Sequence, residues 1–423
     1  CSSDLVRALS GPEHRPVWWR PGGGFYTDAR PDEILDKANS IGREAAMLPK
    51  SVEVIEAELE SFNYQRLNKS NFMTALEPQV YCAAGATGVA YNVFGELEWD
   101  DFDVNTGLIA ALNANRAFLD GIVRGTQRHS PKGIYDGVGA NIYVGHRGAD
   151  GKWLTIAGAD DPSFLGSELQ KIGVPAAYSE ADARVWAVTG QTVDSMSEAA
   201  IETMLTRGAY LDGFAVEALH RRGFGALTGF AIHEIIREDA IEEHVDHPLN
   251  REVRDKRRNA RQSFWYQPAF ALNPAPGAEV LSRCVDYAGI ELADCLSGVF
   301  VNERGGRIAV NGYYPWSTMF YRCKTMQMKR LFRWLSRDSL DGYIADYHRA
   351  ALWCRDNCSV VWNMSQDPWT DGGLMLRTDD AVRRFLRVDG SGGEIRADGA
   401  DGAYRRFRLP ALGAWEMLVL ERG

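Results

Sequence analysis

The chain has 423 residues, of which 45% are hydrophobic and 25% are charged, and this composition is typical of a folded protein with about two to four domains. Lysine and arginine number 47 against 57 aspartates and glutamates, and the resulting net charge of -10 disfavours binding to nucleic acid. Seven cysteines without a Cys-x-x-Cys pair predict no disulfide framework, and no apolar run is long enough to span a membrane.

The beginning of the chain, CSSDLVRAL, contains no methionine. Such a beginning fits either the mature end of a lipoprotein or a fragment that begins in the middle of a domain. A cytoplasmic location is the expectation, and a lipoprotein is the alternative.

Strand and helix signals alternate at short spacing over residues 1–130. Strands are predicted at 16–19, 52–60 and 88–94, and helices at 31–47, at 70–84 and behind a cap at Asp103. Repeated units of a strand followed by a helix predict a parallel sheet, which is either doubly wound or closed into a barrel.

The strand at 52–60, VEVIEAELE, decides between these two folds because its faces differ. One face is apolar and consists of Ile55, Ala57 and Leu59. The other face changes from apolar to acidic along the strand and consists of Val52, Val54, Glu56, Glu58 and Glu60. In a barrel, the outward face of a strand packs against helices, and the inward face carries the active site at its carboxyl end. We therefore predict the last three units of a (β/α)8 barrel, with the glutamates at its mouth and the first five units outside this chain. A solvated edge strand with loosely paired acids is the alternative.

Seven further residues are candidates for binding a substrate at that mouth, because they flank the ends of predicted strands or carry rings that stack on sugars. They are Trp19, Arg20, Tyr26, Asp28, Tyr91, Asn92 and Trp99. For the aromatic residues, a place in the core or at a subunit contact is the alternative.

A second α/β domain is predicted over residues 131–315. Ser195 and Glu198 have the spacing of a capping box before a short helix that Gly208 ends. Asp212 is predicted to begin another helix.

Residues 316–423 are predicted to form a helical connector followed by a small antiparallel β-sandwich. A stripe of apolar residues predicts a helix over 316–357, and Cys354 and Cys358 would share one of its faces as a buried, reduced pair. Short strand-like runs separated by Asp-Gly dipeptides then predict the sandwich.

The stretch 237–262 is polar, and the second domain is predicted to resume after it. His244 and His247 have a spacing that occurs in metal sites, but a hydrated acidic loop is favoured because glutamates and an aspartate surround them. The basic run 251–262 is predicted to be a solvated helix face. Neither a metal ion nor a cofactor is predicted.

Two segments of the chain, ESFN at 60–63 and MSEAAIETMLTRGAYLDGFAVEALHRRGFGALTGF at 196–230, resemble segments of one known family. The longer segment is similar to part of the amidotransferase-like domain of bacterial β-galactosidases of glycoside hydrolase family 42 and related clan-A glycosidases. ESFN resembles their Glu-x-x-Pro segment after the seventh barrel strand, with Asn63 in the place of proline. The resemblance implies a retaining glycosidase that acts on a carbohydrate and forms a homo-oligomer, a trimer in this family. It also implies that Glu60 is the nucleophile, with Glu58 as the second candidate.

The general acid of such an enzyme is not predicted in this chain. Retaining glycosidases need a second carboxyl group about 5–5.5 Å from the nucleophile. In the clan that the resemblance indicates, this group belongs to an Asn-Glu pair after the fourth strand, whereas Asn302-Glu303 lies in the predicted middle domain. We therefore expect this chain by itself to be inactive or nearly so.

Two rival functions can be compared with this interpretation. An amidotransferase or related hydrolase would need a nucleophilic cysteine in the middle domain, but no cysteine lies between Cys82 and Cys284. A non-catalytic carbohydrate-binding or scaffold protein is the alternative that the missing acid keeps open.

Overall fold

The computed structural model describes residues 2–22, 28–60, 69–93, 105–139, 163–251, 253–263, 267–313 and 319–422. Within these residues the fold is mixed α/β. The chain divides into two compact units, the first consisting of Cys1–Lys132 and Asp341–Gly423 and the second of Gly133–Leu340. The partial barrel and the domain boundaries near residues 130 and 315 stay predictions.

The amino-terminal part of the first unit alternates helices and parallel strands. Its elements are α1 (Ser2–Ser10), α2 (Glu33–Met47), β1 (Glu56–Glu60), α3 (Asn71–Ala84), β2 (Gly88–Asn92) and α4 (Thr106–Thr126). β1 and β2 pair in parallel, as the repeated units predict. α3 packs against both α2 and α4.

Local sequence signals explain why α2 and α3 form where they do. α2 buries Ile34 and Leu35 on the apolar face that its periodicity predicts. α3 begins behind Ser70, whose hydroxyl accepts a hydrogen bond from the Met73 N–H at 3.1 Å. α3 continues through Pro78, and the burial of most of its residues compensates for the backbone hydrogen bond that proline cannot donate.

The second unit is built on a sheet that is parallel on one side and antiparallel on the other. Its strands are β3 (Gly133–Tyr135), β4 (Ala183–Val188), β5 (Ala209–Asp212), β6 (Phe230–Ile236), β7 (Ala240–His244), β8 (Arg257–Arg261), β9 (Ala269–Pro274), β10 (Glu279–Val285), β11 (Glu291–Val301) and β12 (Arg307–Asn311). Its helices are α5 (Ser163–Lys171), α6 (Gly190–Ser195), α7 (Glu198–Arg207), α8 (Gly213–Arg221) and α9 (Arg322–Leu335). Within the described residues, eight of the strands join in the order β3-β4-β5-β12-β11-β10-β7-β8, and β6 pairs with β9. β3, β4, β5 and β12 are parallel to one another.

The caps of two helices in this unit can be compared with the prediction. α7 begins behind Ser197, whose hydroxyl accepts a backbone N–H at 3.2 Å, so the prediction of Ser195 as the cap is wrong. Ser195 lies within the preceding short helix and donates its hydroxyl to the Thr192 carbonyl at 2.8 Å. Asp212 begins α8 as predicted, because its carboxylate accepts a backbone N–H at 2.7 Å.

The part of the polar stretch 237–262 that surrounds His244 is a buried strand, so the prediction of a hydrated acidic loop is wrong there. Glu242, Glu243 and His244 lie on β7 and are at most 9% exposed. The run 251–262 contains β8 in place of the predicted helix. β7 pairs with β8 on one side and β10 on the other, so its polar residues must find partners inside the fold. Within the described residues, no group of three His, Cys, Asp or Glu side chains could hold a metal ion.

The carboxyl-terminal part of the first unit is an antiparallel sheet. Its strands are β13 (Gly342–Ile344), β14 (Ala350–Cys354), β15 (Cys358–Asn363), β16 (Gly373–Arg377), β17 (Val382–Arg387), β18 (Gly392–Asp401), β19 (Tyr404–Arg408) and β20 (Met417–Arg422). Within the described residues, they join in the order β13-β16-β19-β18-β17-β20-β15-β14. Ile344 on β13 and Leu352 on β14 lie in one core cluster although these strands end the order, so the sheet curls around a common core.

The helix predicted over 316–357 is too long. The helix α9 ends at Leu335 and belongs to the second unit, and β13 and β14 form the later part of that range. Cys354 and Cys358 lie at the facing ends of the hairpin between β14 and β15, where both are buried free thiols. The dipeptide Asp356-Asn357 between these cysteines favours a turn. The stripe of apolar residues predicted a continuous helix in spite of this signal.

Candidate active site

β1 is the middle one of three parallel extended segments. The segment 18–21 lies on one side, where the Glu58 N–H donates a hydrogen bond to the Pro21 carbonyl at 3.1 Å. β2 lies on the other side in a register that places Asn92 opposite Glu60. Since the three segments run in the same direction, their carboxyl ends meet at one edge, and Glu60 ends β1 at that edge.

The two faces of β1 differ in the way that the sequence predicts. Ala57 and Leu59 are 0% and 1% exposed, whereas the three glutamates that alternate with them are half-buried. Leu59 packs with apolar side chains of β2 and α4. On the opposite face, Gly88 leaves room for Glu56, because a Cβ atom at Gly88 would lie 3.3 Å from the Glu56 Cγ. The glutamates therefore lie on the face that is turned away from the helices.

Glu58 forms an ion pair with Arg20 of the neighbouring segment. The Arg20 side chain is 57% exposed and that of Glu58 is 26% exposed, so solvent screens the pair and its contribution to stability is small. Arg20 balances one of the negative charges on this face. The structure thus brings together two of the residues that the sequence marks as site residues.

Glu60 has a different environment from Glu58. Burial and the negative charge of Glu58 raise the pKa of Glu60, and the positive charges of Lys69 and Arg20 oppose this shift. Among the residues that the structure describes, none donates a hydrogen bond to the Glu60 carboxylate. The described residues therefore leave both of its oxygen atoms open.

A buried ion pair lies next to the end of β1. The Lys69 Nζ donates to the Glu77 Oε2 at 2.6 Å and to the main-chain oxygen of Glu60 at 2.9 Å. The side chains of Lys69 and Glu77 are 0% and 1% exposed. Burial raises the pKa of Glu77 to about 7, although the positive charge of Lys69 opposes the shift.

Two of the predicted substrate-binding residues make contacts inside the fold. The Trp19 Nε1 donates to the Glu44 Oε2 on α2 at 3.0 Å, and the indole packs against the apolar cluster that contains Ile55. The Asp28 Oδ1 accepts both the N–H and the hydroxyl of Ser70, at 3.0 and 3.1 Å. Trp19 thus lies on the helix side of the sheet, and Asp28 holds the beginning of α3.

Tyr91 and Asn92 lie on opposite faces of β2. Tyr91 is paired with Leu59 and lines a cavity of about 390 Å³ between β2, α3 and α4. Asn92 is paired with Glu60 and shares its face. The remaining two candidates, Tyr26 and Trp99, lie outside the described residues.

A second charged cluster is buried in the second unit. The Glu242 carboxylate lies 2.6 Å from the Arg258 Nη2 and 3.5 Å from the Lys324 Nζ. It also accepts the hydroxyls of Ser282 at 2.7 Å and Tyr313 at 2.8 Å. Burial by itself would raise the pKa of Glu242. The positive charges of Arg258 and Lys324 outweigh this effect and hold the pKa of Glu242 well below its usual range.

Three solved structures share the fold of this chain at low sequence identity. The α-L-fucosidase isoenzyme 2 from Paenibacillus thiaminolyticus matches with a TM-score of 0.60 and 11% identity over 93% of this chain and 63% of that one. A β-galactosidase from Bacillus circulans sp. alkalophilus matches with a TM-score of 0.57 and 11% identity over 96% and 60%. A GH42 β-galactosidase from G. stearothermophilus matches with a TM-score of 0.55 and 12% identity over 96% and 59%. The chain has a glycosidase-like fold.

The chain spans 59 to 63% of the length of those three enzymes. No protein-family model and no curated protein sequence matches it significantly. Within the described residues, no helix is both long enough and apolar enough to cross a membrane.

Lys69 and Glu77 are not among the site residues that the sequence predicts, although they form a buried pair beside Glu60. A signal for Glu77 was present, because it is the only acidic residue in NFMTALEPQVYCAA and interrupts a helix that is otherwise free of charge. A carboxylate in such a helix is buried and needs a cation as a partner. The partner, Lys69, lies eight residues earlier in the chain and could not be identified from helical spacing.

Proposed function

We propose that the chain is the nucleophile-bearing part of a retaining, β-galactosidase-like glycoside hydrolase. The observation that carries this proposal is the row of glutamates on one face of β1, which ends at the carboxyl edge of three parallel segments. Catalytic side chains of barrel enzymes lie at this edge. A purely structural strand would not collect carboxylates that repel one another.

Glu60 fits the role of the nucleophile better than Glu58. Glu58 is paired with Arg20, which already occupies one of its two carboxylate oxygen atoms. Glu60 ends the strand, and the described residues leave its carboxylate open. Its partial burial also removes water that would otherwise solvate the attacking oxygen.

The reaction follows from the chemistry of retaining enzymes. An oxygen of Glu60 attacks the anomeric carbon, the bond to the leaving oxygen breaks, and a covalent glycosyl ester forms. A second carboxylic acid protonates the leaving oxygen and then activates the water that hydrolyses the ester. We assign this second group to residues outside the present chain.

Arg20 and Asn92 are the substrate contacts that we favour among the seven candidates. Both lie on the glutamate face, Arg20 through its pair with Glu58 and Asn92 through its register with Glu60. Trp18, which is 66% exposed and two residues before Arg20, has the exposure that a stacking surface for sugars requires. The sugar itself is proposed as a galactoside or a related glycoside.

The proposal can be tested with 2,4-dinitrophenyl 2-deoxy-2-fluoroglycosides. Dinitrophenolate leaves without being protonated, so the reagent needs only the nucleophile and reports on it in the absence of the general acid. We expect the chain to gain the mass of one fluoroglycosyl group with at least one sugar of a panel that includes galactose and fucose. Peptide mapping should place this group on Glu60.

Two matched variants decide the assignment. Glu60→Gln should abolish the labelling, and Glu58→Gln should retain it. Labelling of Glu58, or labelling of Glu60→Gln at the wild-type rate, would contradict the assignment. If the panel leaves the chain unlabelled but calorimetry detects sugar binding, the non-catalytic carbohydrate-binding function replaces the enzyme.

We extend the proposal to a homotrimer that the second unit holds together. Its support is a group of exposed apolar side chains on the hairpin between β10 and β11, where Tyr287, Ile290 and Leu292 are 63%, 66% and 46% exposed. Light scattering of the wild type should give three times the mass of the chain, and Ile290→Asp should lower this mass. A monomeric wild type would contradict the extension.

A further inference from the structure

Lys69 connects the end of β1 to α3 through a single buried ammonium group. Its Nζ donates to the main-chain oxygen of Glu60 at 2.9 Å and to the Glu77 carboxylate at 2.6 Å. Lys69 lies nine residues after Glu60 and directly before Ser70, the cap of α3. The ammonium therefore ties together the two ends of the segment that follows the proposed nucleophile.

Stability alone does not account for a pair of this kind. Burying an ammonium and a carboxylate costs several kcal/mol of desolvation for each ion, and a well-packed apolar pair of the same volume is often as stable or more so. The chain nevertheless buries both side chains of the Lys69–Glu77 pair almost completely. What an apolar pair could not provide is a hydrogen bond to the Glu60 carbonyl and a positive charge beside β1.

The charges of the three groups are linked. The positive charge of Lys69 lowers the pKa of Glu60, against the effects of burial and of Glu58. Burial raises the pKa of Glu77, and the negative charge of Glu60 adds a smaller shift in the same direction. Lys69 thus opposes the upward pKa shifts of two neighbouring carboxyl groups, and Arg20 does the same for Glu60.

We propose that Lys69, held in place by Glu77, is a positioning residue for Glu60. It fixes the main chain that carries the nucleophile and places a positive charge beside it. This inference rests on the proposed function. Lys69 itself need not touch the sugar, so its loss should affect the bond-forming step and not the binding of the reagent.

The experiment compares the labelling kinetics of the wild type with those of Lys69→Met and Glu77→Gln. In Lys69→Met, we expect the first-order rate constant of labelling to fall by about 10- to 100-fold, because a nucleophile displaced by about 1 Å loses that much. The concentration of reagent that gives the half-maximal rate should change by less than twofold. Glu77→Gln keeps an acceptor for Lys69 but removes the charge, and a smaller decrease in the same rate constant is expected.

Lys171→Met is the matched control. Lys171 forms a buried pair with Glu168 at 2.5 Å, in which both side chains are 5% exposed, and it belongs to the second unit. Its loss should lower the thermal stability without changing the rate constant. Circular dichroism establishes which variants are folded. If Lys69→Met does not fold, the rate constant of labelling in Glu77→Gln tests the inference.

Two outcomes would overturn the inference, and they can be told apart from a failure of the proposed function. A wild-type rate constant in the folded variants of Lys69 and Glu77 would overturn it, as would an equal decrease in Lys171→Met. In both cases the wild type is still labelled on Glu60. A wild type that is not labelled on Glu60 refutes the proposed function, and the inference falls with it.

Discussion

Replacement of Glu242 by glutamine should strongly destabilise the second unit. The Arg258 side chain is 2% exposed and that of Lys324 is 1% exposed, and the Glu242 carboxylate is the anion to which both are paired. Glutamine has nearly the same shape but no charge, so the two buried cations would lose their counter-charge. Breaking a buried ion pair in this way costs about 3–5 kcal/mol.

The neighbouring glutamate supplies the control for this prediction. Glu243 is paired with Arg257 and Arg283, whose side chains are 47% and 40% exposed. Water can therefore solvate both guanidinium groups when Glu243→Gln removes the negative charge. The expected loss for Glu243→Gln is about 0–1 kcal/mol. The two substitutions are chemically identical and adjacent in sequence, and they differ in the burial of the partners.

Equilibrium unfolding in urea measures both losses, and amide hydrogen exchange in β7 and β10 assigns them to the second unit. A loss of about 3–5 kcal/mol corresponds to a decrease of roughly 6–20 °C in melting temperature for a unit of this size. The stability that Glu242 contributes should be lost as the pH falls below about 4.5, because the folded state holds the pKa of Glu242 below that value. If Glu242→Gln and Glu243→Gln lose the same free energy of unfolding, the argument from burial is refuted.

Three further predictions concern single residues. Burial lowers the pKa of Lys324 to about 8, so between pH 8 and pH 10.5 the unfolded chain binds a proton that the folded chain does not. The free energy of unfolding should therefore rise across this pH window. Denaturant titrations at several pH values measure the rise, and Lys324→Met should remove it. Asp28→Ala should lower the free energy of unfolding by about 1 kcal/mol in urea titrations, because Ser70 loses the acceptor of two hydrogen bonds, and an unchanged midpoint would contradict this role. Gly306→Ala should cost about 1–3 kcal/mol or more, since a Cβ atom there would lie 1.8 Å from the Leu205 carbonyl oxygen. A wild-type melting temperature would show that the backbone at this position can shift without cost.

The sequence by itself determined those features that depend on neighbours along the chain. The alternation in 56–60 predicted the faces of β1, because successive side chains of a strand point to opposite sides whatever the rest of the fold does. The helical periodicity before Met47 and the cap at Asp212 likewise identified α2 and α8. Each of these signals is complete within about a dozen residues.

Only the tertiary structure decided which charges are buried and which of them are paired. Glu242 lies in a stretch whose composition predicts a solvated loop, yet Tyr313 and Lys324 reach it from 71 and 82 residues away. The same holds at the candidate active site, where Arg20 comes from 38 residues before Glu58 to form its ion pair. A charge is tolerated inside a protein when a partner is in place, and the position of that partner is a property of the whole fold.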